Sequence, residues 1–359
     1  MTPIVREVPI KVLVVDDSAF NRRSITEILG SSAEVQVIGK AADGDEALRL
    51  VGVLRPDVIT LDLEMPRMDG FTFLRILMSR MPTPVIVVSS YSQKENVFKA
   101  LELGALDFVA KPDRHTDAEL HSIREELLQK VLLARTLRLA ALFHARPAFE
   151  SLHGTRPSEP TRATPQTQAP ARYVVAIASS TGGPTALMEI FAKLPQRSPN
   201  TYLIAQHMPD KFTRTFAERL NRRSPLRVTE ALDLDNISQG TVFICPGRKC
   251  MEFEAGGGSE RVRVVAPAQQ DRYVPSADRL FASVGRAAGR RAVGVILTGM
   301  GDDGVEGARA ILNAGGTVIA ESDATAVVYG MPGSAVRAGV VSQSLPLPQI
   351  AEFLSELGG

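Results

Sequence analysis

The chain has few cysteines, no excess of charge of either sign and no long apolar segment. Its 359 residues include two cysteines, Cys245 and Cys250, too few for a disulfide framework and without the spacing of a zinc site. Lys and Arg number 41 against 40 Asp and Glu, so the net charge of +1 gives no reason to expect nucleic-acid binding. No apolar run reaches the roughly 20 residues that span a bilayer, and Met1–Pro9 lacks the apolar core of a signal peptide. We therefore expect a cytoplasmic protein with reduced thiols, no nucleic-acid partner and no direct membrane insertion.

Short apolar strands alternate with helical patterns in residues 9–128, which we predict to be the first domain. This alternation is typical of an α/β domain with a parallel sheet and right-handed crossovers. The expected helices include Ala19–Leu29, Gly44–Leu54 and Phe71–Met78. The five expected strands are Lys11–Val15, Val35–Ala41, Asp57–Leu61, Val85–Val88 and Asp107–Ala110.

Polar side chains follow the carboxyl ends of these predicted strands. They are Asp16, Asp17, Asp62, Ser89 and Lys111. Because parallel strands of an open α/β sheet end at one crevice, we expect these side chains to converge. Three adjacent carboxylates repel one another and need a hard cation, which implies Mg²⁺. One carboxylate can then attack a phosphoryl group while the hydroxyl and the ammonium meet its oxygens. The alternative is a set of ordinary polar residues at solvated strand ends.

Residues Lys11–Pro112 resemble a response-regulator receiver domain, which has a flavodoxin-like fold. The resemblance implies that Asp62 accepts the phosphoryl group and that a sensor histidine kinase supplies it. It also implies that Asp16, Asp17, Asp62 and the backbone carbonyl of Glu64 bind Mg²⁺. The same resemblance makes Ser89, Phe108 and Lys111 the switch residues that respond to phosphorylation.

The next segment, residues 129–171, is predicted to be a helical stalk followed by a flexible linker. Asp117–His144 is amphipathic and rich in Leu, Ala and Arg, and its basic face is better explained as solvated than as nucleic-acid binding. Arg146–Arg172 is rich in Pro, Thr, Ser, Gln and Ala and is too polar to form a core. The histidines of this region lack metal-ligand spacing and are interpreted as incidental: His115, His121, His144 and His153.

A strand, a tight turn and a helix are predicted around Tyr173–Pro184, at the start of a second domain, residues 172–357. The apolar run ends in Ser-Ser-Thr-Gly-Gly-Pro, and Thr185–Leu194 has helical spacing, so Ser180 lies where a helix N-terminus favours negative charge. The Ser180 hydroxyl is a candidate nucleophile. A helix cap or a phosphate-binding loop are the alternatives.

Two further strand ends supply possible companions for that hydroxyl. His207 follows the predicted strand Thr201–Ala205 and is the only histidine after the linker. The predicted strand Ala292–Leu297 leads to Asp302 and Asp303, and a helix follows over Val305–Asn313. A hydroxyl, an imidazole and a carboxylate at one edge of a doubly wound, mostly parallel sheet indicate the triad chemistry of acyl transfer, here ester hydrolysis.

Residues Tyr173–Val341 resemble the catalytic domain of the chemotaxis protein-glutamate methylesterase family, CheB. The matching segments are A-S-S-T-G-G-P, Q-H-M-P, P-S-A-D-R-L-F, G-V-I-L-T-G-M-G-D-D-G and V-V-Y-G-M-P. The resemblance implies that Ser180 is the nucleophile, His207 the base and Asp303 the orienting acid. It assigns assisting roles to Thr181 and to the backbone N–H of Met300.

The family resemblance also implies the reaction and its partners. The substrates are glutamate γ-methyl esters on the helices of methyl-accepting chemoreceptors, methanol is released, and receptor glutamines are deamidated by the same attack. We expect a CheA-type kinase partner, recruitment to receptor clusters, and no cofactor for the esterase step. Receiver packing over the Ser180 edge, weakened by phosphorylation, is the expected form of control.

Four departures from the family pattern bear on these expectations. Ser179 adds a second hydroxyl, Val274 replaces an arginine, Cys250 stands where histidine is common, and Asp210-Lys211 replaces Pro-Gly. The arginine and the histidine that Val274 and Cys250 replace lie near the expected groove, so their loss affects which receptors we expect the protein to prefer. The alternatives left open are the same chemistry in a non-flagellar chemosensory-like pathway and a non-catalytic phospho-switch that only binds.

Overall fold

The chain divides into two units, Met1–Leu137 and Arg138–Gly359, and each has its own sheet. The computed structural model describes residues 8–90, 94–111, 117–133 and 169–358. Among these residues, no helix is both long enough and apolar enough to cross a membrane. Residues 134–168, which include most of the predicted stalk and linker, lie outside the described part.

The first unit is built on five parallel strands, as predicted, and their order in the sheet is β2-β1-β3-β4-β5. Helices on both faces bury these strands, which explains why they are nearly continuous runs of Val, Ile and Leu. The strands are β1 (Ile10–Val15), β2 (Val35–Ala41), β3 (Val58–Leu61), β4 (Val85–Ser89) and β5 (Asp107–Ala110). The helices are α1 (Ala19–Gly30), α2 (Gly44–Leu54), α3 (Gly70–Arg80), α4 (Lys94–Glu102) and α5 (Asp117–Leu132).

Side-chain caps explain where several of these helices begin. The Ser18 hydroxyl accepts from the backbone N–H of Asn21 at 3.4 Å, and the Asp69 carboxylate accepts from that of Thr72 at 2.7 Å. Asp69 therefore starts α3 at Gly70, one residue before the predicted start. At the other end of the unit, Val131 of α5 is buried in the core beside α1 and β5. The domain limits 9–128, 129–171 and 172–357 stay predictions.

The second unit has seven parallel strands in the order β14-β13-β12-β6-β7-β9-β8 and a separate antiparallel hairpin of β10 and β11. The predicted doubly wound, mostly parallel architecture is confirmed. The strands are β6 (Val174–Ser179), β7 (Thr201–Gln206), β8 (Arg227–Glu230), β9 (Thr241–Ile244), β10 (Cys250–Gly256), β11 (Ser259–Val265), β12 (Ala292–Ile296), β13 (Thr317–Glu321) and β14 (Gln343–Leu345). The helices are α6 (Gly183–Lys193), α7 (Asp210–Arg223), α8 (Ala277–Ala288), α9 (Val305–Asn313), α10 (Met331–Arg337) and α11 (Leu347–Glu356).

The strand order reverses at β6, and that reversal locates the crevice of the second unit. From β6 the chain continues to β7 on one side, while β12 pairs with β6 on the other. Open α/β sheets bind ligands outside the carboxyl ends of strands at such a reversal. The loops that follow β6, β7 and β12 therefore surround one crevice.

Candidate functional sites

Ser180 directly follows β6 and precedes the turn into α6. Its backbone N–H donates to the Thr298 carbonyl at 3.0 Å, and its own carbonyl accepts from the Gly183 N–H at 2.8 Å. The N-cap position of α6 is Gly182, two residues later. The alternative role of Ser180 as a helix cap is therefore wrong, and its half-buried hydroxyl is left for other chemistry.

His207 lies beside Ser180 because the two strands pair in register. Ser179 is aligned with Gln206 across β6 and β7, and the His207 N–H donates to the Ser179 carbonyl at 2.9 Å. Ser180 and His207 are therefore the next residues on adjacent parallel strands, which lie roughly 4.8 Å apart.

Asp303 approaches the imidazole from the loop after β12. The distance from His207 Nε2 to Asp303 Oδ2 is 2.8 Å. The Asp303 carboxylate also accepts from the backbone N–H groups of Ala277 at 2.8 Å and Asp278 at 3.0 Å, at the start of α8. Asp303 is 1% exposed, so these donors hold a buried carboxylate in one orientation. Asp302 makes none of these contacts.

The structure contains one of the two hydrogen bonds that such a triad requires. Nε2 faces a carboxylate and so carries the proton, which leaves Nδ1 with the lone pair that can accept from a hydroxyl. Among the described residues, the Ser180 hydroxyl makes no hydrogen bond to His207 or to any other group. Nucleophile-to-base contacts are commonly longer before substrate binds.

Thr181 and Met300 lie in the loops after β6 and β12, which border the same crevice. Thr181 is buried, and its carbonyl accepts from the Thr298 hydroxyl at 3.0 Å. Met300 follows Gly299, whose carbonyl accepts from the Met331 N–H at 2.8 Å. The loops after β6 and β12 are thus held against each other by backbone contacts, which fixes where their N–H groups point.

Two glycines make this close packing possible. A Cβ at Gly299 would lie 2.7 Å from the Ser180 Cβ, and one at Gly183 would lie 2.7 Å from the Ser179 Cβ. Both distances are shorter than real side chains allow, so any larger residue would push the Ser180 turn out of place.

Sequence reasoning missed two side chains that contact this site. Gln206 Nε2 donates to the carbonyls of Ser180 at 3.0 Å and His207 at 2.9 Å, while its Oε1 accepts from the Ser179 hydroxyl at 2.6 Å. The Tyr273 ring stacks on the His207 ring, with centroids 5.3 Å apart and planes 7° from parallel. The motif Q-H-M-P contains the first of these residues, but nothing in the sequence connects Tyr273 to His207.

The positions that depart from the family pattern differ in how exposed their side chains are. Cys250 is fully buried, its thiol contacts Asp271 Oδ2 at 3.6 Å, and burial raises the pKa of that thiol. Cys245 is likewise buried and free. Val274 is 37% exposed, beside Tyr273. Val274 and Lys211 are the departures from the family pattern whose side chains are exposed.

A second group of functional residues lies at the carboxyl edge of the first sheet. The carboxylates of Asp16, Asp17 and Asp62 have oxygen atoms within 4.8 Å of one another. Lys111 Nζ donates to Asp16 at 2.9 Å and to Asp62 at 2.7 Å. The strand ends therefore converge as the sequence predicted.

Burial and charge oppose each other in this cluster. Burial raises the pKa of Asp62, and the Lys111 ammonium offsets only part of that effect. Burial lowers the pKa of Lys111, but Asp62 and Asp16 outweigh it, so its pKa is raised. The lysine thus stays charged beside Asp62, whose carboxyl group is harder to ionise than usual. A bound cation would offset the mutual repulsion of the three neighbouring carboxylates.

The residues that the sequence resemblance assigned to the switch lie near this edge. Ser89 ends β4, and its carbonyl accepts from the Lys111 N–H at 2.7 Å. Phe108 is buried and meets Phe98 edge to face, with ring centroids 6.3 Å apart. The Glu64 N–H donates to Asp62 Oδ1 at 3.4 Å, which places the chain segment of Glu64 against the acidic cluster.

The three carboxylates fit a magnesium site. They offer only oxygen atoms, which is the donor set that Mg²⁺ prefers, and Asp17 is exposed on the open side, where water can complete the coordination. The described part of the second unit contains no comparable cluster of His, Cys, Asp and Glu ligands.

Comparisons with known proteins show which family each unit resembles. The family described as CheB methylesterase matches residues 175–354, and the response regulator receiver domain matches residues 12–122. Protein-glutamate methylesterase/protein-glutamine glutaminase 3 of Geobacter sulfurreducens is 49% identical over 98% of both chains. Protein-glutamate methylesterase/protein-glutamine glutaminase 1 of Myxococcus xanthus is 47% identical over 97% of each of the two chains. The crystal structure of the Thermotoga maritima CheB methylesterase catalytic domain matches with 37% identity and a TM-score of 0.51, covering 52% of this chain and 99% of its own.

Proposed function

This chain belongs to the CheB methylesterase family, and from that premise we propose that Ser180, His207 and Asp303 hydrolyse glutamate γ-methyl esters of chemoreceptors. The chain is a receiver-linked hydrolase, a protein-glutamate methylesterase that also acts as a glutaminase. One observation carries the residue assignment. His207, which follows the strand next to that of Ser180, contacts the buried Asp303 through Nε2 at 2.8 Å.

The first step forms an acyl-enzyme. His207 Nδ1 takes the proton of the Ser180 hydroxyl as Oγ attacks the ester carbonyl carbon. Asp303 holds the imidazole in the tautomer that can accept this proton and stabilises the imidazolium that forms. The bond between the carbonyl carbon and the methoxy oxygen then breaks, and that oxygen takes the proton that His207 returns, so methanol leaves.

Backbone N–H groups stabilise the negative charge that develops on the carbonyl oxygen. The Ser180 turn at the start of α6 and the Met300 segment are the sources we propose for these donors. One such donor is typically worth about 3–4 kcal/mol. Thr181 supports the arrangement through its carbonyl contact with Thr298.

Water completes the reaction and releases glutamate. His207 removes a proton from the water, which attacks the acyl carbon, and Ser180 leaves with that proton. Deamidation of a receptor glutamine uses the same two steps with ammonia as the leaving group. The esterase step needs no metal ion or cofactor in this scheme.

We further propose that phosphorylation of Asp62 controls this activity. Asp16, Asp17, Asp62 and the Glu64 carbonyl would hold Mg²⁺, which when bound neutralises charge on the phosphoryl oxygens. Lys111 would pair with the phosphoryl group, and Ser89 and Phe108 would change conformation when Asp62 is phosphorylated. A CheA-type histidine kinase is the proposed donor, and the proposed place of action is the cytoplasm beside receptor clusters.

The assignment of the nucleophile is tested by methanol release from methylated receptor. Ser180→Ala should lower the rate to background, whereas Ser179→Ala, which removes the neighbouring hydroxyl, should keep at least roughly a tenth of it. A fluorophosphonate should label Ser180 in the wild type, detected by peptide mass spectrometry. Wild-type rates in Ser180→Ala would refute the triad.

Control by the receiver is tested in the same assay. A small phosphodonor with Mg²⁺ should raise the rate of the wild type and leave that of Asp62→Asn unchanged. Activation that survives Asp62→Asn would rule out Asp62 as the phosphoacceptor, without affecting the triad assignment.

A further inference from the structure

Tyr273 is an aromatic residue at the esterase site that no sequence motif places there. It lies in the loop before α8, and its ring is 7° from parallel to the His207 ring, at a centroid distance of 5.3 Å. This is an offset stack, a favoured arrangement of two flat rings. One face of the imidazole is thus covered, while its edge points to Asp303.

The neighbouring acid, Asp302, holds the tyrosine ring in that place. The Tyr273 hydroxyl donates to Asp302 Oδ1 at 2.9 Å. Arg272 Nη1 lies 3.1 Å from both oxygens of Asp302, and its guanidinium lies 5.2 Å from the Tyr273 ring centroid. The two consecutive acids therefore have different contacts: Asp303 bonds to the imidazole, and Asp302 bonds to the ring stacked on it.

A single hydrogen bond at Nε2 leaves the imidazole free to turn about that bond. A parallel ring resists this rotation because turning would drive the two rings into each other. An aromatic face also attracts a cation, by about 0.5–2 kcal/mol. The imidazole becomes a cation when it takes the Ser180 proton, so this attraction grows as the transition state forms.

We propose that Tyr273, held by Asp302, is a positioning residue that fixes the plane of the His207 imidazole and stabilises its protonated form during esterase catalysis. This inference rests on the proposed function. Tyr273 acts through His207. It makes no covalent bond and exchanges no proton with substrate.

Steady-state kinetics of the full chain on methylated receptor test the proposal. Tyr273→Leu, which removes the aromatic face, should lower kcat roughly 5- to 30-fold with KM changed less than about twofold. Tyr273→Phe keeps the face but loses the hydrogen bond to Asp302, so its kcat should fall only about two- to fivefold, as in Asp302→Asn. A rise in KM at unchanged kcat in Tyr273→Leu would overturn the proposal, because it would make Tyr273 a substrate-binding residue.

Proton NMR gives a readout that lost packing alone would not reproduce. The chain has five histidines, and the His207 ring signals are those that disappear in His207→Gln. Stacking should displace these signals upfield in the wild type and in Tyr273→Phe, and Tyr273→Leu should abolish the displacement. Equal His207 signals in all three proteins would overturn the proposal.

Asp302→Asn provides a second variant at an exposed side chain, where folding is not at stake. It weakens the anchor of the tyrosine and should lower kcat about two- to fivefold. Wild-type kcat in both Asp302→Asn and Tyr273→Leu would overturn the positioning role. If Ser180→Ala is inactive in that same experiment, the proposed function stands while this inference fails.

Discussion

Single side chains behind the esterase site determine how firmly its parts are held. Gln206 joins the backbone of Ser180 to that of His207, and Ser179 fixes the orientation of its amide. Glu321 contacts Thr298, which in turn contacts Ser180. Its carboxylate accepts from the Thr298 N–H at 2.8 Å and from the Thr325 hydroxyl at 2.9 Å. A buried carboxylate therefore supports the loop that receives the Ser180 N–H.

Glu321 should make the stability of the second unit depend on pH. Burial raises its pKa from 4.5 to about 7, despite the hydrogen bonds from Thr298 and Thr325. The folded state thus holds a proton that the unfolded chain releases above about pH 4.5. Stability is fully present below that pH and falls as the pH rises through 7, by up to about 3 kcal/mol.

Urea unfolding of Glu321→Gln measures this effect. The amide keeps an acceptor for Thr298 without the charge, so the difference in unfolding free energy between pH 5 and pH 8.5 should shrink relative to the wild type. The same pH dependence in both proteins would show that another group is responsible.

At the scale of elements, two helices position Asp303. The N–H groups at the start of α8 bind its carboxylate, and α9 begins just after it. These helices pack closely where Gly307 faces α8. A Cβ at Gly307 would lie 2.5 Å from the Phe281 Cβ and 2.6 Å from the Asp278 carbonyl oxygen. The helix crossing therefore depends on the missing side chain.

Gly307→Ala should separate α8 from α9 and disturb Asp303. We expect a loss of about 1–3 kcal/mol of unfolding free energy together with a reduced kcat. Gly52→Ala is the matched control, because that helical glycine has open space around its Cβ and the change should add about 0.5–1 kcal/mol. Equal stability of the two variants would contradict the packing argument.

At the scale of the whole molecule, the chain carries two separately folded sheets with different chemistry. The acidic cluster belongs to the first unit, and the Ser180, His207 and Asp303 group belongs to the second. A ligand that binds the folded form of one unit stabilises that unit by mass action. Mg²⁺ should therefore act on the two units unequally.

Calorimetry with and without Mg²⁺ tests this division. The unfolding temperature of the first unit should rise, and that of the second should not change. When Mg²⁺ is at a hundred times its Kd, the gain in unfolding free energy of the first unit should be about 2.7 kcal/mol. Asp17→Asn should abolish the rise, and Asp45→Asn, an exposed acid of the same unit outside the cluster, should keep it. A rise in the second transition would contradict the assignment of the site.

The strand and helix pattern was predictable because it depends on local periodicity and burial. β-branched runs bounded by turns predicted the five strands of the first unit and the three that lead to Ser180, His207 and Asp303, and polar residues just after them indicated both crevices, since parallel strands end at one edge. Caps shifted helix starts by one or two residues, because hydrophobic spacing does not show the side-chain cap at Asp69 or the left-handed backbone at Gly182.

The amino-acid order by itself determined the two α/β sheets and which hydroxyl, imidazole and acids follow their strands, because these depend on neighbours in the chain. The family resemblance had assigned Asp303, 96 residues from His207, to the imidazole, but only the tertiary structure decided that Asp302 holds Tyr273 against that ring. Contacts between distant segments depend on strand order and loop packing, and no local pattern in the sequence encodes them.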